Sequence, residues 1–493
     1  MGGSIAYRAS VRNEPPDAKP ASEHISESFG AHLWYNSHHM NDNRPSLLNR
    51  LHAKIGDFWW YSLMIFVAAR VADCLNIFVG LWLVPRYVDP SELGAVQPLT
   101  SFAAFFAIPA AVFAATFRQE VSNLAVTREF GKLKTLMRSV FITTAVLFLV
   151  ALAAARIALP SFLWRIRVAE GSLAFVILAA AFSGPVASIY SVPLQVLKKF
   201  KATSVISIFC APIRIVTMLV AMPYRALVGY FVGQSSTPAF SVITSIVALR
   251  KELKVRAEPY WNSDVVKRFG RLFLIFGIGS AIGGFASLIE STVIRQRLPE
   301  VESAAYYIVT RFSDIGSYLT GVLTLTIFPF TAELASRGKS TNGLVLKASA
   351  AIVATNAVLA VLFWAFGRQL ISFIPHGDLY ADFFWAIPML ILLTTINSCT
   401  GLYTTAELSA NRFGYMWFML PLQFAYAALI LLVTGFGYFK PYMPQAASAF
   451  FDAHNIRSLS TMLVWMNVFA VVKLLCCIVY ARREKTKIKV QQQ

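Results

Sequence analysis

Apolar residues run through the chain from residue 59 to residue 480 in windows of about 20 residues, each cut off by a short polar or basic stretch. That length is what an α-helix needs to cross a bilayer. The pattern predicts twelve spans: Trp59–Val84, Ala95–Phe117, Ser139–Ile157, Leu173–Val196, Val205–Met222, Ala226–Leu249, Leu272–Ile294, Ala304–Phe330, Ala348–Phe366, Phe383–Tyr403, Tyr415–Thr434 and Leu459–Tyr480. The fold class is an all-α polytopic membrane protein. Prolines inside the windows (Pro98, Pro109, Pro185, Pro193, Pro212, Pro329, Pro388, Pro421) predict kinks, which membrane helices tolerate when neighbours satisfy the freed carbonyls.

The longest basic loop, Arg250 to Arg271, divides the windows into six and six. The expected organisation is a disordered polar tail (1–46), a first six-helix lobe (47–249), a connecting loop (250–271), a second lobe (272–480) and a basic tail (481–493). Leu48, Leu51 and Ile55, mixed with basic residues, predict an interfacial helix that leads to Trp59, Trp60 and Tyr61 at headgroup level. A shift of 210 residues sets "RYVDPSELGAVQPLTSF" on "QRLPEVESAAYYIVTRF", matching Glu92 with Glu302, Ala95 with Ala305, Thr100 with Thr310 and Phe102 with Phe312. The match falls on the same hairpin of each half. It predicts parallel repeats about an axis along the membrane normal, enclosing a central cavity.

With 57% apolar and 14% charged residues, a soluble globular chain is excluded, since soluble domains carry about a quarter charged residues. The net charge of +19 follows the positive-inside rule: about 30 of the 44 Lys and Arg fall on one side of the twelve-span layout. That places both termini in the cytoplasm and leaves no charge excess that calls for nucleic acid. The five cysteines lie in apolar windows and read as core, and the histidines, five of them ahead of the first span, offer no metal cluster.

Ionised residues inside the spans carry the chemistry. A charge at the bilayer centre costs about 2.5 kcal/mol or more, so these side chains should face a cavity or each other. Arg70 and Asp73 share the first span, and Arg311 and Asp314 the eighth, each pair spaced to neutralise itself on one helix face. Arg214 has no carboxylate within a turn and needs a partner on another helix, water or an anionic ligand. Arg70, Arg214 and Arg311 around one cavity would suit phosphate oxygens. Glu290 reads either as a proton-accepting carboxylate or as a partner of Arg295 or Arg297; Lys473 is expected to snorkel to the interface. Tyr306, Tyr307 and Tyr318 are candidates for stacking on sugars, against the plainer reading of interfacial tyrosines.

The stretch "FVGLWLVPRYVDPSELGAVQPLTSFAAFFAIPA" (Phe78 to Ala110), with its P-x-E-x-G turn at Pro90, Glu92 and Gly94, resembles the start of bacterial polysaccharide translocases of the O-antigen flippase type. "LQVLKKFKATSVISI" (Leu194 to Ile208) looks like the basic turn after their fourth helix. That family lies within the multidrug, oligosaccharidyl-lipid and polysaccharide exporter superfamily. The resemblance implies two six-helix lobes around a cationic cavity and alternating access in the bacterial inner membrane. It also implies an undecaprenyl-diphosphate-linked oligosaccharide as substrate, with a polysaccharide polymerase and export machinery as partners.

No nucleotide-binding motif is present, so no cofactor is expected and an ion gradient, H+ or Na+, is the expected driving force. The coupling candidates are Asp73, Glu290 and Asp314. Two alternatives stand beside the flippase: a drug exporter of the same superfamily, and a membrane enzyme that polymerises or ligates glycans. The longest external loop, Gly435 to Ser458, is short for a catalytic domain, although Asp452 and His454 lie in it.

Overall fold

The computed structural model describes residue 67 and residues 70–126, 129–168, 173–197, 199–336, 341–409, 414–433 and 458–492. The N-terminal tail, the expected interfacial helix, Trp59, Trp60, Tyr61, Asp452 and His454 lie outside these. Twelve long helices account for the twelve apolar windows, and no strand occurs among the described residues. They are α1 (residues 70–87), α2 (Val96–Val126), α3 (Phe130–Arg165), α4 (Leu173–Val196), α5 (Phe200–Ala221) and α6 (Ala226–Leu249) in the first half. The second half holds α7 (Ser263–Arg297), α8 (Glu300–Ser336), α9 (Asn342–Ser372), α10 (Ala386–Ser409), α11 (Met416–Val433) and α12 (Leu459–Gln492).

Nine of the described helices are long and apolar enough to cross a membrane. The other three are α1, described only from residue 70, α8 with its Arg311–Asp314 pair, and the shorter α11. Helices overrun the windows because hydropathy marks the span and not the basic turns that continue it: α3 starts at Phe130, ahead of Ser139, and α12 runs on past Tyr480. Pro109, Pro185, Pro193, Pro212 and Pro421 lie inside helices, whereas Pro98 and Pro388 fall in first turns, where no intrahelical donor is lost. Among the described residues of the twelve helices, α1 departs from α geometry with a π-helical turn at Val79–Leu83.

The packing of the core sets the geometry of the site. One large cluster spans both halves, from Leu83, Leu99 and Ile166 to Ile294, Tyr307, Ile387 and Met462. These residues sit at the end of the bundle away from the connecting loop, called here the far end. At the linker end the core divides. Phe117, Leu136, Ile189 and Tyr260 form one cluster on the first half, joined by Val265 and Phe269 from the start of α7, and Ile327, Ile352, Cys399 and Leu402 form a separate one in the second. The halves are therefore sealed together broadly at the far end, whereas at the linker end the start of α7 joins the first-half core and the rest of the second half keeps its own.

The connecting loop is itself docked on the first half. Tyr260 donates to the buried Glu120 carboxylate at 2.7 Å, Trp261 Nε1 to Ser139 Oγ at 2.9 Å, Thr135 Oγ1 to the Glu258 carbonyl at 2.6 Å and Lys134 Nζ to the Val255 carbonyl at 3.1 Å. Asn262 then caps α7 by accepting from the Val265 amide at 2.8 Å. Of the cysteines, expected in the core, only Cys399 and Cys477 are buried; Cys74 is on the outside of α1, where a small apolar residue faces lipid as readily as core.

Candidate functional site

The two ion pairs read from spacing both form, at 2.9 Å each: Arg70 with Asp73 on α1 and Arg311 with Asp314 on α8. Each arginine also reaches across the seam between the halves. Arg70 Nη1 donates to the Tyr318 carbonyl, and Arg311 Nη2 donates to Gln97 Oε1 on α2 at 3.0 Å. The Arg311 guanidinium lies over the Tyr307 ring, 5.1 Å from its centroid. Close approach of α1 and α8 depends on Gly80, where a Cβ would sit 2.8 Å from Arg311 Cδ.

Arg214 on α5 comes to the same place. It is near enough to Tyr230, Tyr318, Tyr307 and Arg311 to feel them electrostatically. Its one hydrogen bond, to Gln234 Oε1, is long at 3.4 Å, and no carboxylate pairs with it among the described residues. The Nε atoms of Arg214 and Arg311 are buried without a hydrogen-bond partner. Among the described residues the seam thus gathers three guanidiniums with two carboxylates, a local excess of positive charge, with donors to spare on Arg214 and Arg311.

A cavity of about 390 Å³ opens beside the seam within the second half, lined by Glu290, Tyr306, Asp314, Asn397, Gln423 and Lys473 among others. Glu290 accepts hydrogen bonds from Tyr306 Oη at 3.3 Å and from Tyr426 Oη. Neither Arg295 nor Arg297 pairs with it, which corrects the ion-pair expectation. The reason is rotational: Glu290 faces into the bundle, while Arg295, five residues on, points to the far-end junction. Lys473 corrects the snorkelling expectation, because it lines this cavity with Nζ 3.5 Å from Asn397 Oδ1. Asp314 belongs to both cavity and seam. A carboxylate held by two phenols and no cation can take up a proton or a small cation without breaking an ion pair.

Tyr306 and Tyr307 do not present stacking faces in this conformation. Tyr306 and Tyr307 are buried, and the Tyr307 ring is taken by Arg311. Tyr318 is half-buried.

The far end is clasped by a residue that the sequence analysis considered only as a partner for Glu290. Arg295, 2% exposed, donates Nε to the Ile166 carbonyl at 3.0 Å and Nη2 to the Ser91 carbonyl at 2.6 Å. Both acceptors belong to the first half. Beside it Arg167 pairs with Glu300 at 3.8 Å, and a Cβ on Gly94 would lie 2.2 Å from Ser303 Oγ. Gly94 and Ser303 come from the two hairpins that the 210-residue shift matched, so the repeated hairpins meet face to face. Gln97, Gln234, Asn397 and Tyr426 are uncharged polar groups within the apolar windows, and for the first three an amide in an apolar span was the available signal.

Comparison with solved structures places this architecture. A MATE-family multidrug-resistance transporter of the MOP superfamily in an outward-facing conformation superposes with a TM-score of 0.57 at 13% identity, over 91% of this chain and 100% of the other. A MATE protein in a straight conformation gives 0.57 at 14% identity, over 90% and 96%. A MOP-superfamily transporter from Pyrococcus furiosus, described as having a binding pocket of reverse polarity, gives 0.55 at 12% identity, over 91% and 100%. No protein-family profile matches the chain, and no significant match to a curated protein was found. At these identities the likeness defines the fold: the all-α, two-lobed, twelve-helix architecture of MOP-superfamily transporters.

Proposed function

We propose that the protein is an ion-coupled transporter of this fold whose cargo bears an anionic phosphate group, and that it moves a lipid-linked oligosaccharide repeat unit between leaflets by alternating access. The observation that carries this reading is Arg214, a half-buried guanidinium at the lobe seam, beside Arg311, with no carboxylate of its own among the described residues. Phosphate oxygens match the forked donors that Arg70, Arg214 and Arg311 present, and the sugars would extend from them toward the linker end while the lipid tail stays in the bilayer. Undecaprenyl diphosphate, named by the resemblance of residues 78–110 to O-antigen flippases, is the corresponding carrier. A bacterial inner membrane, cytoplasmic termini and a polysaccharide polymerase downstream belong to the same proposal.

The test is the amount of lipid-linked oligosaccharide in cells carrying Arg214→Ala, Arg214→Lys or wild type at matched membrane expression. Inner-leaflet build-up with Ala and partial relief with Lys supports the reading. Normal export with both overturns it.

H+ or Na+ coupling at Asp73, Glu290 or Asp314 completes the mechanism. Uptake at Glu290 would change the charge of the cavity that adjoins Asp314 and the seam, linking ion occupancy to the lobe contacts. Full transport after all three are neutralised would remove this step.

A second reading, export of cationic drugs, draws on the same cavity, since Glu290 and Asp314 with Tyr306 and Tyr426 suit an organic cation. Drug sensitivity on deletion, with unchanged lipid-linked oligosaccharide, would favour it.

A further inference from the structure

A second cavity, of about 290 Å³, lies apart from the site described above, at the far end between the halves. Its walls come from α2 (Phe102), α3 (Ala158, Phe162, Arg165), α7 (Leu288 to Gln296) and α11 (Leu431). The floor is apolar and rigid: Phe102 and Phe162 stack with ring centroids 4.4 Å apart, and Val293 is 2% exposed. Of the polar lining residues, Arg165 and Gln296 lie nearest the helix ends; Ser161 and Thr292 sit about one turn further in, and Thr292 Oγ1 is taken up by the Leu288 carbonyl at 2.6 Å. Leu288 is eight residues before Gln296, so the cleft runs about 12 Å along α7 from polar mouth to apolar base.

The surroundings of the cleft fix what it faces. Ile157 and Trp164, on the same stretch of α3, are each 82% exposed, an apolar surface that belongs in lipid. An exposed tryptophan at the end of a spanning helix sits at headgroup level, and Arg165 is the next residue. Arg165 has no ion-pair partner among the described residues. An apolar cleft open to the bilayer cannot hold water in place of hydrocarbon, and an arginine at its mouth, at the depth of the phosphates, selects for negative charge.

We propose that this cleft is a binding site for an anionic phospholipid of the far-side leaflet, with one acyl chain lying along Phe162, Leu288 and Ile289 and the phosphate held by Arg165. The inference is independent of what the transporter carries. Because its walls come from both halves, the cleft exists only while the far end is shut. A bound lipid therefore favours the far-end-closed conformation by its differential affinity for that state.

The experiment is native mass spectrometry of the full-length protein after incubation with dioleoyl phosphatidylglycerol or dioleoyl phosphatidylcholine. Wild type should retain phosphatidylglycerol at least fivefold more than phosphatidylcholine. Arg165→Gln should bring the two to the same level, and Ala158→Trp, which fills the cleft from its lipid-facing wall, should lower retention of both. Thr292→Trp fills it from the other wall and replaces Ala158→Trp if that variant does not fold, as judged by its melting temperature. Equal retention of both lipids by wild type, or unchanged phosphatidylglycerol retention in folded Arg165→Gln and cleft-filling variants, overturns the proposal.

Discussion

Arg295 donates to the Ser91 carbonyl at 2.6 Å, so a guanidinium of the second half is bonded to the backbone of the first at the sealed end of the bundle. Its bond to the Ile166 carbonyl makes the clasp bidentate across two separate loops. Hydrogen bonds from charged donors contribute about 1.5–3 kcal/mol each, so loss of both should shift the conformational balance by about 3 kcal/mol or more. Arg295→Ala is expected to lengthen far-end distances between spin labels on α3 and α9, with Arg295→Lys intermediate. Identical distance distributions in all three would show that the clasp does not hold the end shut.

Gly94 and Ser303 give a steric version of the same test. Gly94→Ala places a Cβ 2.2 Å from Ser303 Oγ and 2.9 Å from its Cβ; the hydroxyl can rotate aside, but the Cβ cannot yield without moving α8. The single variant should lose stability by about 1–3 kcal/mol, as overpacking does. Adding Ser303→Gly removes the two nearest atoms and should recover part of the loss, read as melting temperature in detergent. No recovery would mean that backbone contact, 3.0 Å away, dominates.

The Arg311–Asp314 pair predicts strong non-additivity. Asp314→Asn leaves a guanidinium with Gln97 and the Tyr307 ring as its remaining partners, whereas Arg311→Gln with Asp314→Asn leaves only neutral groups. The single variant should accumulate less folded protein than the double, measured by size-exclusion profile at equal expression. Additive losses would argue against local neutralisation.

The connecting loop should loosen on acidification. Burial works against the charged form of Glu252, but hydrogen bonding and the charge of Lys199, at 2.8 Å, hold its carboxyl below the ordinary range. A depressed carboxyl contributes stability that is present above the unfolded value, about 4.3 for Glu, and that is lost as pH falls through the folded value. Protection of residues 250–262 against hydrogen exchange, taken relative to the intrinsic rate at each pH, should therefore be high at pH 6 and fall below about pH 4. Lys199→Met should remove that pH step, and a step that persists would assign it to another group.

Much of the fold was legible because hydropathy is a local signal. Each window became a helix, and the i,i+3 charges of α1 and α8 became ion pairs, since helix geometry alone decides whether such residues meet. The hairpin match at Glu92 and Glu302 identified the two segments that pack at Gly94 and Ser303, but not that they touch. Glu290, Arg295 and Lys473 show the limit. Their partners are Tyr426, Ser91 and Asn397, 136, 204 and 76 residues away, and nothing in spacing brings such pairs together.

The π-helical turn at Val79–Leu83 sets an azimuth. Phe78, Trp82 and Arg86 line the outside of α1 at steps of four, with Phe78 stacked on Trp82 at 5.5 Å and Arg86 over Trp82 at 5.0 Å. That ladder continues past the extra residue the wide turn accommodates. Removing one residue there would restore a regular helix and swing everything before it by about 100° about the axis. Arg70 and Asp73 would turn from α8 toward hydrocarbon. One inserted residue thus acts as a rotational key that aims the charged pair of α1 into the seam.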